Sequence, residues 1–372
     1  MRYEYTSTLP RQPDADALYM HFTGGLRAAK ANENDAWIVE PIIQDGLPHR
    51  AGFFTSSELE AFTRKMGFQA IAFHTIQWNS GKYSSSWSPL IPGQSNHSRG
   101  PSDLWGSVAS NMTSKRISAL RESSNFNRDE IAKVIDERTR EELLALSISL
   151  SLRSMDISIE QIVEFYHEQL VDVLAAGVIN GRRFGSIQDQ NLYAHIHSFL
   201  VHFGSARDYL AALIATRINK KEKIESQQKL DSLNNLIKAL EPKHFGVDAL
   251  LDLLKNRQLL QRAENQKNYE ASGWLKEASS LRNKFVHRQP YGSRHVEGYG
   301  HAEQVAADVG IYRYVRPVLF DDNLERDVLD VVVDIYMKVT ELFHAMAETS
   351  GLNTEILAIT RGDITAIALT KS

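Results

Sequence analysis

The chain has no cysteine among its 372 residues. Disulfides, thiolate nucleophiles, cysteine-ligated zinc and iron–sulfur clusters are therefore excluded. Long apolar runs are missing too. No stretch of about 18 apolar residues is present to cross a bilayer, and Met1-Arg2-Tyr3-Glu4-Tyr5 lacks the charged-then-apolar order of a secretion leader. The expectation is a cytoplasmic protein with no membrane partner. Nor is there a surplus of positive charge: Lys and Arg number 42 against 46 Asp and Glu, for a formal net charge of -4. That balance argues against a sequence-blind nucleic-acid coat but leaves room for a local basic site. Internal repeats and low-complexity tracts are absent.

Hydrophobic residues make up 42% of the chain, enough to supply real cores over one or two domains. Residues 1–115 are comparatively rich in Trp, Ser, Pro and Gly and lack long helical periodicity. Trp37 to Ile43 and Phe68 to Trp78 read as strands, with a short helix from Ser56 to Met66 between them. The stretch from Asn79 to Asp103, with Ser84-Ser85-Ser86, Pro89, Pro92, Gly93, Gly100 and Pro101, reads as a long exposed loop. This N-terminal accessory domain is expected to be mixed α/β or β-rich.

From Asn127 onward the pattern is helical. Asn127 with Glu130 and Ser158 with Gln161 have capping-box spacing and mark two helix starts. A helical connector is expected over 116–184. A helical domain follows over 185–350, with apolar stripes from Leu192 to Ile214, Leu230 to Leu240, Val247 to Leu260, Tyr269 to about His287, and Leu324 to Met346. Residues 351–372, with Ile356, Leu357, Ile359, Ile364 and Ile367, read as a tail with a hairpin. The expected fold class is mainly α, with the smaller N-terminal domain appended.

Ser279-Ser280-Leu281-Arg282-Asn283-Lys284-Phe285-Val286-His287-Arg288 carries more chemistry than any other segment. It ends an amphipathic helix and runs into Gln289-Pro290-Tyr291-Gly292. Arg282 can hold a phosphate, and His287 can move a proton. From Arg282 to Arg316 the chain is locally basic, with Arg282, Lys284, Arg288, Arg294, Arg313 and Arg316 against Glu297, Glu303 and Asp308. Two further arginine–histidine spacings, Arg288 to His295 and Arg294 to His301, begin in or beside the proline–glycine loop rather than on the helix.

A helical bundle with Arg282, Asn283 and His287 near the end of its penultimate long helix resembles the HEPN superfamily. That family's pattern is an arginine, usually followed by a polar residue, with about four to six residues before a histidine. The resemblance covers roughly residues 185 to 350. It implies a HEPN-like helical bundle, a homodimer, and metal-independent endoribonuclease activity on RNA that leaves a 2′,3′-cyclic phosphate. It further implies a toxin or antiviral defence setting, with an antitoxin or activating partner. Arg282, His287 and Asn283 would be the catalytic set. Arg288, Tyr291, Arg294 and Asp208 are expected to bind substrate, Tyr291 by stacking on bases.

Geometry sets a condition on that pair. Residues five apart on a helix are rotated by about 140°, so the helix must fray at His287 or a second chain must complete the cleft. His195 and His197 look like a metal pair, but residues two apart on a helix point about 200° away from each other, and His202 lies about two turns, roughly 10 Å, from His195. Neither a metal nor a cofactor is therefore expected. The plainer reading of Arg282 and His287 is a salt bridge and a helix-end histidine. The competing function is a non-catalytic helical module that binds a partner protein or nucleotide; a metal-dependent nuclease, sensitive to chelator, is a third.

Overall fold

Short runs rich in β-branched and aromatic residues favour extended chain, and the N-terminal part of the protein is built from them. The computed structural model describes residues 5–8, 16–31, 36–79, 82–95, 97–122, 127–226, 228–263, 268–306, 309–319 and 325–356. Strands β1 (Tyr5–Thr8), β2 (Ala17–Phe22), β3 (Arg27–Lys30), β4 (Trp37–Gln44), β5 (Leu47–Phe54), β6 (Ala70–Asn79) and β7 (Lys82–Pro89) form one sheet in the order β1-β5-β4-β3-β2-β6-β7. Every neighbouring pair is antiparallel. Helix α1 (Ser56–Lys65) links β5 to β6. Thr55 and Glu58 cap its start reciprocally, and it buries Leu59 and Phe62 in an apolar cluster with Phe54, Trp37 and Val39.

The remaining helices are α2 (Pro101–Arg121), α3 (Arg128–Asp136), α4 (Arg140–Ala175), α5 (Asp189–Asn219), α6 (Leu233–Ala239), α7 (Ala249–Asn256), α8 (Gly273–His287) and α9 (Val328–Thr349). Three small antiparallel pairs lie among them: β8 (Leu260–Arg262) with β9 (Tyr269–Ala271), β10 (His301–Ala306) with β11 (Ile311–Val315), and β12 (Pro317–Leu319) with β13 (Glu325–Asp327). Among the described residues no helix is long and apolar enough to cross a membrane.

Helix α4 organises the molecule. At 36 residues it is about 54 Å long. Its Ile148, Leu152, Met155, Ile159, Ile162 and Tyr166 share one apolar cluster with Trp105 of α2, Phe199 and Phe203 of α5, Val332 of α9, and Ile71, Ala72 and Trp87 of the sheet. A buried polar chain crosses the same interface. Trp87 Nε1 donates to Tyr336 Oη at 3.0 Å, Tyr336 Oη donates to Asp156 Oδ1 at 2.7 Å, and Ser102 Oγ donates to Asp156 Oδ2 at 3.1 Å.

These features overturn the expectation of a mainly α protein built on a HEPN-like bundle. Helix accounts for 54% of the structure and strand for 21%, and the sheet and helices are packed on a shared core. The fold class is α+β. Two segments depart from the sequence reading. The supposed loop after Asn79 contains β7, an edge strand whose Ser84, Ser85 and Ser86 face solvent, so its register with β6 leaves no apolar alternation to read. Ser158 does not start a helix. It sits inside α4, where its hydroxyl donates back to Ser154 O at 2.8 Å, and the helix begins instead at the Thr139–Glu142 capping box. Asn127 does cap a helix, accepting from Glu130 N at 2.9 Å. The segment 116–184, read as a connector, contains α4 with its buried face. Leu324 and most of the suggested C-terminal hairpin, from residue 357 on, lie outside the described residues.

Candidate active site at the end of helix α8

Helix α8 is positioned by an apolar stripe, Leu275, Ala278, Leu281 and Phe285, all buried and spaced by three or four residues to lie on one face. It stops where Arg288 N and Gln289 N both donate to Lys284 O, at 3.0 and 2.7 Å, and Pro290 offers no further N–H. His287 is the last helical residue.

Arg282 closes the gap that helical rotation opens. Its Nη1 donates to Asn283 Oδ1 at 3.1 Å and to His287 Nε2 at 2.9 Å. The backbone stays helical through His287, and the length of the arginine side chain does the work expected of a frayed end or a second chain. A guanidinium only donates, so Nε2 is the accepting nitrogen and the imidazole is assigned as neutral with its proton on Nδ1. Asn283 and His287 are exposed and Arg282 is half-buried. On its inner side Arg282 packs against Gly204 of α5, and its Nε makes no hydrogen bond among the described residues.

Helix α5 holds α8 through Arg207, whose Nη1 donates to Ser279 Oγ at 2.8 Å. Asp208 is committed to structure: its Oδ1 accepts from Arg207 Nε at 3.1 Å, from Arg207 Nη2 at 3.0 Å, and from Leu233 N in the first turn of α6 at 3.0 Å. Arg288 is exposed next to His287. Arg294 donates to Gln289 Oε1 at 2.9 Å. With Gly185, Ser186, His295 and Tyr299 it lines an open depression of about 410 Å³.

Tyr291 does not fit its expected role. It is only 5% exposed and donates to Pro317 O at 3.1 Å, so its ring is a core group and cannot stack on a base. The apolar contacts of Phe285 and Tyr193 draw it inward, although the proline and glycine beside it read as exposed loop. The rival arginine–histidine spacings lead elsewhere: His295 packs on Tyr299 and His301 pairs with Glu303 at 3.0 Å. Among the helix α5 histidines, His195 and His202 are half-buried and His197 is exposed. Burial lowers the pKa of His195 and His202.

Sequence reading passed over a second constellation. His21, His74 and Glu164 bring one ligand-type atom each within 4.8 Å of one another. The available signal was a histidine inside each of two apolar strands, Leu18-Tyr19-Met20-His21-Phe22 and Ile71-Ala72-Phe73-His74. Which strands pair cannot be read from one sequence, so their convergence is visible only in the fold.

No family model, curated protein or solved structure matches the chain.

Proposed function

We propose that the protein is an endoribonuclease that cleaves RNA at Arg282, Asn283 and His287 by 2′-hydroxyl transesterification, as implied by the likeness of that motif to the HEPN nucleases. One observation carries the reading: a single guanidinium nitrogen bridges Asn283 and an exposed, proton-accepting His287 nitrogen. In the resting site Arg282 occupies the Nε2 lone pair. A phosphate oxygen is the better partner for a guanidinium, so an incoming phosphodiester takes over Arg282 and releases His287. The freed Nε2 accepts the 2′-hydroxyl proton as the 2′-oxygen bonds to phosphorus. Arg282 balances charge on the non-bridging oxygens. The P–O5′ bond then breaks, leaving a 2′,3′-cyclic phosphate on one product and a 5′-hydroxyl on the other. Arg288, exposed beside the pair, and Arg294 on the following loop offer positive charge to the flanking backbone.

The leaving 5′-oxygen needs a proton. In a homodimer the partner's His287 supplies it from its imidazolium form; in a monomer water does. The proposed setting is the cytoplasm, in a toxin or antiviral defence system with an antitoxin or activating partner.

Cleavage of end-labelled RNA with analysis of product termini tests the proposal. His287→Ala is expected to lower the cleavage rate by about 10²–10⁴-fold while changing stability by no more than about 0.5 kcal/mol. Arg282→Lys, which keeps the charge but not the fork, is expected to be strongly impaired. Termini other than a cyclic phosphate, or full activity in His287→Ala, would overturn the mechanism, and absence of cleavage by the wild type would favour a binding module.

A further inference from the structure

Strands β2 and β6 are hydrogen-bonded neighbours with Tyr19 opposite His74 and His21 opposite Ala72. His21 and His74 are therefore diagonal neighbours on one face of the sheet. Helix α4 crosses that face and sets Glu164 against both. The distances are 3.4 Å from His74 Nδ1 to His21 Nε2, 3.4 Å from His21 Nε2 to Glu164 Oε1, and 3.3 Å from His74 Nδ1 to Glu164 Oε1. The three atoms make a nearly equilateral triangle.

Those edges are long for hydrogen bonds, which close at about 2.7–3.2 Å when nitrogen donates. They match another geometry. Four ligands arranged tetrahedrally at about 2.0–2.1 Å from a zinc-type ion stand about 3.3–3.4 Å apart. We propose that His21 Nε2, His74 Nδ1 and Glu164 Oε1 are three ligands of a site for a divalent transition-metal ion, joining β2, β6 and α4. The fourth position opens past Glu164, whose side chain is 27% exposed, whereas those of His21 and His74 are 0% and 6% exposed.

The surroundings suit such an ion. Burial pushes the His21 pKa down to about 3, which leaves the imidazole neutral with a lone pair to offer. Glu160 Oε1 lies 3.5 Å from His74 Nε2, placed to become the outer carboxylate–histidine contact that orients a metal-bound imidazole. Arg27 Nη1 lies 3.6 Å from the other oxygen of Glu164, while its Nε is held by buried Glu40 at 2.5 Å, and Glu40 is also paired with Arg50. Trp87 packs against both imidazoles, with ring centroids 5.5 and 5.9 Å away. The carboxylates of Glu40, Glu160 and Glu164 outnumber the guanidiniums of Arg27 and Arg50, which favours a cation.

The test uses the full chain, stripped with a chelator and then titrated with Zn²⁺ or Co²⁺. One equivalent is expected to bind with a rise in Tm, and the cobalt form should show the visible absorption of a four-coordinate ion. Glu164→Gln and His74→Ala are expected to abolish that equivalent, and Glu160→Gln to weaken it by about 10- to 100-fold. His195→Ala and His197→Ala are expected to leave it unchanged. If His74→Ala fails to fold, Glu164→Gln and X-ray absorption of the wild-type zinc form decide. Two imidazoles and an oxygen in the first shell support the site. Absence of a bound equivalent in the wild type, a shell without two imidazoles, or wild-type affinity in Glu164→Gln overturns it. None of these measurements reads RNA cleavage, so the outcome is independent of α8.

Discussion

Gly204 of α5 faces the guanidinium of Arg282 so closely that a Cβ there would stand 2.8 Å from Nε and 3.3 Å from Cζ. The absence of a side chain at one helix position thus sets where a charge on another helix can rest.

Gly204→Ala should separate stability from activity. Alanine is favoured over glycine inside a helix by about 0.5–1 kcal/mol, and the atoms it displaces are at the far end of a flexible side chain. Unfolding free energy is therefore expected to hold or rise. Arg282 is expected to leave its bonds to Asn283 and His287, and RNA cleavage to fall to the level of Arg282→Ala. Denaturant unfolding and cleavage rates measured on the same preparation check this; unimpaired cleavage would show that the held position of Arg282 is irrelevant to turnover.

Asp156 gives stability a defined pH dependence. Burial pushes its pKa up to about 7, against the opposing hydrogen bonds from Tyr336 and Ser102. An unfolded aspartate ionises near about 3.9, so between the two values the folded protein holds a proton that the unfolded chain has released. The contribution of Asp156 is fully present below about pH 4, is lost as pH rises toward about 7 with a slope of at most about 1.4 kcal/mol per pH unit, and is constant above that. Asp156→Asn should remove this decline. Urea unfolding of both proteins across that window measures the difference between their slopes; parallel curves would show that the carboxyl titrates normally.

Arg316 is fully buried and donates twice to Asp189, at 2.5 and 3.0 Å. This pair holds the start of α5 to the segment between β11 and β12. Asp189→Ala strands a charged guanidinium in the interior and is expected to cost about 3–5 kcal/mol. Adding Arg316→Met to that variant should recover much of the loss, because the uncompensated charge is then gone. Unfolding free energies of the two single variants and the double variant close the cycle; additive losses would mean that the pair is not coupled.

The helices with strong apolar stripes were the most legible elements. Leu192 to Ile214 fall on α5, and Val328 to Met346 on α9, because each stripe is long enough to outweigh local ambiguity. The short helix expected over Ser56 to Met66 falls on α1, although the Thr55–Glu58 capping box that starts it went unread. What stayed hidden depended on partners far away in the chain. The hairpin of β10 and β11 lies among helices, and its Ile311 is buried in the cluster of the N-terminal sheet with Phe22 and Phe68. Nothing near Ile311 in sequence announces that destination.

The candidate site divides along the same line. Arg282, Asn283 and His287 share one helix, so their proximity follows from a local spacing and a long side chain. Tyr291 is four residues beyond His287, yet its burial is decided by Pro317, Tyr193 and Phe285. His21 and His74 are 53 residues apart and meet only because β2 and β6 pair.

Helix α4 spans both halves of the molecule, with Tyr166 Oη donating to Asp327 at 2.6 Å and His167 reaching Gly25 O at 2.9 Å from consecutive positions. No cut through the chain yields two self-sufficient pieces: an excised sheet would lose the lid over its inner surface, and the excised helices would lose Ile71, Ala72 and Trp87 from their core. Melting is thus expected to proceed as a single cooperative event.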